Sequence, residues 1–504
     1  MARAPKKRAS RLPYVAQSQL TIEGFENPFV QHLSSKNRWV KLANRIPWDS
    51  IVSVYNKQMR NDSTGASHIN GRVVLGSLMI KHMCNLSDEE TMLQIQENVY
   101  MQYFIGYNGF SLEPPFSSTL FVEIRKRLGV EEMNLINERI VELSSQLQNS
   151  IPVESEKRNS EDKGNDQGND DTTGVNELVS ETHKGKLLVD ATACPQDIAY
   201  PTDLRILNDA REKSEQIIDC LCASSEVEIT KPRTYRRKAR KVYLRTAQKR
   251  NKTRKEIRLS VKRQLQFLKR NINHIHKILD LQSTIRLPQK LHKYLLVIQD
   301  VYKQQNEMYQ SRTHRVDNRI ISIHQPHVRP IVRGKEKAKV EFGTKIHISL
   351  INGFTFLDKL SWEPYNEGSL LTDSIEKYKR RSGVYPKEVL ADKIYCTQEN
   401  RRKLKELGIK LIAKPLGRPS AVNKEHVRPG ERNPIEGKFG QAKSSYGMER
   451  IKARLKDTSE SWVASIIMVL NLVKLAGQAP FSLILRWLQI YFFPDREAKL
   501  AFTF

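Results

Sequence analysis

Between residues 432 and 443 the chain sets one acid among cations at helical spacing. Arg432, Glu436, Gly440 and Lys443 are separated by four, four and three residues, so from Glu436 onward they share one helical face. Asn433 followed by Pro434 reads as the start of that helix: Asn caps free N–H groups, and the fixed φ of proline suits the first helical position. Glu436 then falls at the capping-box position. Two short apolar runs could supply further acids. Lys186-Leu187-Leu188-Val189 reads as a buried strand ending on Asp190, although Asp197 and Asp203 nearby are equally open on chemistry alone. Glu388-Val389-Leu390-Ala391 reads as a second strand, ending on Asp392. Carboxylates from two strand ends and a helix form a hard-oxygen site suited to Mg²⁺ or Mn²⁺. Two such ions about 4 Å apart can activate an attacking oxygen and stabilise the leaving oxygen of a phosphodiester.

Periodicity locates the elements that must position these acids. Val340 to Ile351 and Phe354 to Trp362 alternate around Asn352-Gly353, the strongest short hairpin signal. There follow a helix from about Leu370 to Arg381, the strand ending on Asp392, a helix from Thr397 to Leu407 stopped by Gly408, and a strand through Leu411 to Lys414. Leu204 to Arg333 is helical. If that block is an insertion after the first strand, the order becomes strand, strand, strand, helix, strand, helix, strand, helix, which is the RNase H-like order. Upstream, Arg38 to Leu147 is helical, with Val73, Leu75, Leu78, Met79 and Met83 on one apolar face. Ser87-Asp88-Glu89-Glu90 is a capping box opening a helix that continues through Met92, Ile95 and Val99. A third helix through Leu120, Ile124 and Leu128 carries Arg125, Lys126 and Arg127. These helices suit a helix-turn-helix and a plain bundle equally.

Charge identifies the class of partner. The 504-residue chain carries a formal net charge of +28, which points to a polyanion, and nucleic acid is the leading one. A membrane is not expected as partner, because the apolar run Phe481 to Phe493 is short and broken by Arg486. From Lys231 to Arg270 there are 18 Lys or Arg residues against one acid, Glu256. Such density repels itself unless phosphate neutralises it. Arg236, Arg237, Lys238 and Arg240 are therefore expected to contact the DNA backbone. Cys84, Cys194, Cys220, Cys222 and Cys396 are scattered and form no disulfide framework.

The pattern R-x3-E-x6-K from Arg432 to Lys443 resembles the last signature of the DDE transposases of bacterial insertion sequences, in the groups around insertion sequences four and five. Those groups usually carry Tyr three residues before the Arg, where Pro429 stands here. Ala391-Asp392-Lys393-Ile394-Tyr395 with Glu399-Asn400 resembles the second-acid motif of the family, and Leu86 to Glu90, Tyr103-Phe104 and Phe121 to Gly129 resemble the amino-terminal helical domain of the insertion sequence five group. The resemblance selects Asp190 as first acid. It implies that Asp190, Asp392 and Glu436 hold two Mg²⁺ or Mn²⁺ ions, with Arg432 and Lys443 on the phosphate or displaced strand. It further implies that the amino-terminal helices, including Arg125, Lys126 and Arg127, recognise transposon ends.

The expected architecture is an α/β RNase H-like catalytic domain with a mixed five-stranded sheet, interrupted by a basic helical insertion and preceded by an all-α domain. Its expected bounds are a basic arm (1–37), helical DNA-binding domain (38–150), acidic polar linker (151–184), first catalytic strand (185–203), insertion (204–335), remaining catalytic domain (336–480) and carboxy-terminal helix (481–504). The expected function is a transposase that cleaves double-stranded DNA at terminal inverted repeats and joins it to target DNA, working as a homo-oligomer in a prokaryotic, nucleoid-associated, cytoplasmic setting. The alternatives are a metal-dependent nuclease without joining and a non-catalytic basic nucleic-acid-binding protein.

Overall fold

The computed structural model describes residues 33–58, 69–149, 183–224, 229–281, 286–332, 340–413 and 430–477. The greater part of the basic arm and of the acidic linker, and the helix expected at 481–504, lie outside the described residues. In chain order, α1 Arg38–Arg45, α2 Trp48–Lys57, α3 Gly71–Met83, α4 Asp88–Glu97, α5 Val99–Phe104, α6 Leu120–Arg127 and α7 Val130–Asn149 precede β1 Lys186–Pro195. Next come α8 Asp203–Ala223, α9 Arg236–Ala247, α10 Arg254–Leu281, α11 Gln289–Ser311 and β2 Arg329–Val332. The chain continues through β3 Val340–Ile351, β4 Phe354–Ser361, α12 Leu371–Ser382, β5 Glu388–Leu390, α13 Gln398–Glu406, β6 Lys410–Ile412, α14 Asn433–Tyr446 and α15 Lys456–Ala476.

Two compact units result. One comprises Met1–Cys194, Lys345–Ala453 and Asp457–Phe504, and the other Pro195–Thr344 with Arg454–Lys456. In the first unit the strand order is β4-β3-β1-β5-β6. Strands β1, β5 and β6 run parallel, while β3 and β4 form an antiparallel hairpin. Asn352 and Gly353 turn that hairpin at φ 49° and 77°, the left-handed pair that matches strand twist.

Alternation along the strands separates two cores. Ile346, Ile348 and Leu350 of β3 join a cluster with the amino-terminal helices, α14 and α15. Leu187 and Val189 of β1 join the opposite cluster with Leu371, Ile375 and Leu404. The expected boundary near residue 150 is therefore not a boundary between units: Trp48, Leu78, Phe104 and Phe121 share one hydrophobic core with Ile348 and Ile466. Helix α15 is long and apolar enough to cross a membrane, but 83% of its apolar window is buried inside the protein, as in a core helix.

The free edge of β4 is covered by amides. Thr355 N–H donates to Asn471 Oδ1 at 2.8 Å, and Asn471 Nδ2 donates to Thr355 O and Asn137 Oδ1, both at 2.8 Å. Asn137 Nδ2 also donates to Thr355 O at 3.1 Å. These side chains satisfy buried backbone groups that would otherwise be costly.

The second unit is mainly helical. Ile218, Leu268, Ile275 and Ile298 meet in its core, while Lys255, Lys262, Arg263 and Lys269 of α10 stay exposed. It also contains β2, in a stretch expected to be helical, and β2 pairs with Val340–Gly343 at the start of β3. This brings the sheet to six strands among the described residues, where five are expected. The helix opened by Ser87 stops at Glu97, because the Asn98 side chain caps α5 through Tyr100 and Met101 N–H groups at 3.0 and 3.2 Å.

Candidate functional site

The β1–β5 register determines where the first two acids lie. Leu188 pairs with Leu390, so Asp190 and Asp392 stand at equivalent positions two residues beyond that pair. Neighbouring strands lie about 4.8 Å apart. Asp190 is within β1 rather than at its end, since the strand runs on to Pro195. Asp392 leaves β5 and caps a short turn, accepting from Lys393 N–H at 2.7 Å.

Arg432 joins the pair. Its Nη2 lies 2.8 Å from Asp190 Oδ2 and its Nη1 3.4 Å from Asp392 Oδ1. Helix α14 begins one residue earlier than the sequence indicates: Arg432 rather than Asn433 occupies the cap, without a side-chain capping hydrogen bond, and Pro434 lies within the first turn. The helix buries Ile435, Ala442 and Tyr446 against the sheet face carrying Leu188 and Cys194. That seating delivers Arg432 to the acids. The Asp190 carboxyl is held above the ordinary range by burial, partly offset by Arg432 and the Ala191 N–H, with the charges of Glu367 and Asp392 adding to the rise.

Glu436 is exposed on α14. Among the described residues no three His, Cys, Asp or Glu side chains gather closely enough to hold a metal, so the expected three-acid group is not assembled here. The two carboxylates are the oxygen donors a hard cation takes, but in this arrangement Arg432 occupies both and Glu436 does not complete the set. Lys443 is half-buried and engaged with neighbours. It lies seven residues after Glu436, about 10 Å along the axis.

Sequence reasoning missed Glu367. It pairs with Lys345 at 2.8 Å, both side chains being largely buried, and its charge reaches Asp190 and Tyr395. Gly368 packs so close to the Asp392 turn that a Cβ would sit 2.6 Å from Ile394 O. Asn400 Nδ2 fastens the two turns by donating to Gly368 O at 2.7 Å and Tyr395 O at 2.8 Å. The available signal was Asn366 before Glu367, which caps the turn through Gly368 N–H at 3.0 Å. Tyr395 is fully buried, its hydroxyl has no hydrogen-bond partner among the described residues, and burial pushes that hydroxyl far above the ordinary tyrosine range.

The cations expected to meet DNA divide into buried and exposed sets. Arg125 is buried and makes a bidentate pair with Asp88 at 2.9 and 2.8 Å. Its guanidinium also lies 5.4 Å from the Trp462 ring centre. Arg125 is thus a structural residue, because Asp88 must neutralise both it and the buried Lys81 at 2.9 Å. Lys126 is exposed beside Glu123, and Arg127 is exposed. In the second unit Arg236 is held by both oxygens of Asp219 at 3.0 and 2.8 Å. Arg237, Lys238 and Arg240 project from α9 into solvent.

Comparison with known proteins is consistent with this arrangement. Residues 389–473, containing Asp392, Arg432 and Glu436, match the Transposase DDE domain. Residues 28–127 match the Transposase domain (DUF772). A Rhizobium meliloti protein described as uncharacterized protein ORF8 in the nfe locus is 26% identical over 174 residues, covering 34% of this chain and 69% of that protein. No solved structure matches the chain. Matches to two separate transposase domains along one chain support an insertion-sequence transposase.

Proposed function

We propose that this chain is a DDE transposase of the insertion sequence five type, which binds terminal inverted repeats, cleaves a DNA strand and joins the freed 3′ hydroxyl to target DNA. The observation that carries this reading is the Asp190–Arg432–Asp392 bridge, made by two parallel strands and a helix inside or beside the segment matching a transposase domain. The strand order and crossovers support an RNase H-like catalytic domain. Asp190 and Asp392 would hold divalent ions with Glu436 as third acid, and those ions would supply charge stabilisation at phosphorus. Arg432, which here bridges the two acids, would turn its two-pronged fork to a phosphate once metal ions held them, and the Asp190 side chain is largely buried at that end of the site. The test is incubation with a plasmid carrying the element's ends, with and without Mg²⁺. Nicked ends and joined products support transposition; cleavage without joining leaves a nuclease, and binding alone leaves a non-catalytic binder.

The exposed row on α9 is proposed to neutralise backbone phosphate. Replacing Arg237, Lys238 and Arg240 with Gln is expected to lower the slope of log K against log salt by about 0.9 for each duplex phosphate that is no longer neutralised. Affinity should fall equally on terminal-repeat and scrambled duplexes. Arg236 is left intact, since its guanidinium is already engaged by Asp219. A fall confined to the terminal repeat would mean that this helix reads sequence.

A further inference from the structure

The second unit contains two adjoining cavities, of about 820 and 620 Å³, that share Asp203, Ile257 and His314 in their walls. Both fall within the roughly 300–1,000 Å³ range of ligand pockets. The larger opens where the start of α10 meets the end of α11. Its floor is apolar, with Val261 and Met308 buried, while Ile257 remains 39% exposed. Arg254, Arg258 and Arg312 line the same cavity. The Arg258 guanidinium lies 4.1 Å from the centre of the Tyr309 ring, so it presents a planar cation stacked on an aromatic.

The smaller cavity continues this chemistry. Tyr200 is 72% exposed and meets Phe342 edge-on, with ring centres 5.5 Å apart. Lys252 also lines it. Among the described residues Asp203 is the carboxylate lining either cavity, and Arg319 already holds it at 2.6 Å. The uncompensated charge is therefore positive, over apolar and aromatic walls.

We infer that these adjoining cavities form a binding groove for an unpaired DNA strand, with bases on Tyr200 and the Arg258–Tyr309 stack and phosphates on Arg254 and Arg312. Cationic tracks with interspersed aromatic faces bind single strands because every base has a stacking face. Guanidinium planes stack on unpaired bases as well. A base-paired duplex hides its base faces inside the helix, so it cannot fill cavities of this kind. The exposed row on α9 instead suits phosphate alone. This inference concerns DNA binding by the helical unit and does not depend on the cleavage chemistry.

Fluorescence anisotropy of the full chain tests it, using a labelled oligothymidylate of about 12 nucleotides and a duplex, without divalent metal. Tyr200→Ala is expected to weaken single-strand binding about tenfold and leave duplex binding unchanged, while Tyr200→Phe retains the affinity. Arg254→Gln and Arg312→Gln should each lower the single-strand salt slope by about 0.7. Tyr200, Arg254 and Arg312 all face solvent, and circular dichroism will verify folding of each variant. Equal falls in affinity on both probes, or no fall on the single strand, would overturn the groove. Failure of joining in the plasmid assay with an intact Tyr200 effect would reject only the proposed transposition.

Discussion

Asp190→Ala and Asp392→Ala are each expected to reduce metal-dependent strand cleavage on the order of a thousandfold, through loss of several kcal/mol of charge stabilisation. Affinity for duplex DNA should be largely retained. The paired effect follows from strand register: Leu188 opposite Leu390 puts both acids at one level, and Arg432 binds both. Gel assays on a labelled end fragment would measure cleavage, with anisotropy as the binding control. Full cleavage by Asp190→Ala would rule it out as first acid. Asp197 and Asp203 are poorly suited to replace it, because both lie in the second unit and Asp203 is held by Arg319, Gln305 and His314.

Asp358→Ala should destabilise the first unit by about 3–5 kcal/mol, the usual cost of leaving one partner of a buried pair uncompensated. Its carboxylate accepts from Ser374 Oγ at 2.8 Å, Ser349 Oγ at 3.2 Å and Arg381 Nη1 at 3.2 Å, with His347 Nδ1 at 3.7 Å. Arg381 also reaches Glu138 of α7 at 2.8 Å, so the substitution loosens α7 and α12 from β4 together. Burial pushes the Asp358 carboxyl up, but hydrogen bonds and charge from His347 and Arg381 and the Ser374 bond outweigh it, leaving a net lowering. A lowered folded value means that this contribution is complete above the ordinary Asp value of about 3.9 and fades as pH falls through the folded one. Thermal melts from pH 7 downward should therefore show an acid loss of stability in the parent chain that is missing in Asp358→Asn. Parallel pH curves would reject the network as the source.

Much of the first unit was legible because its signals are local. Asn352-Gly353 demands a left-handed turn, Ser87 caps its helix through Glu90 N–H at 3.0 Å, and the apolar runs around Leu188 and Leu390 have no other use than buried strands. What escaped depends on neighbours distant in sequence. Arg125 looked like a surface cation among Lys126 and Arg127, and only Asp88 and Trp462 explain its burial. Glu367 carries no local pattern distinguishing it from a turn acid; its place beside Asp190 comes from Lys345 and the packing of Gly368 on Ile394. The short β2 was hidden because Arg329-Pro330 sits at the end of a long helical block, and its pairing with Val340–Gly343 is a tertiary event.

Asn471 offers Thr355 one acceptor and one donor, the same pair that a residue of an adjacent strand would offer. The amide acts as a molecular plug at that rim. A segment from another protein molecule cannot extend the hydrogen-bonded ladder at Thr355 without first displacing a fully buried side chain, and edges sealed in this way resist sheet-to-sheet aggregation. Two copies of this chain are thereby steered away from pairing strand to strand at Thr355 of β4.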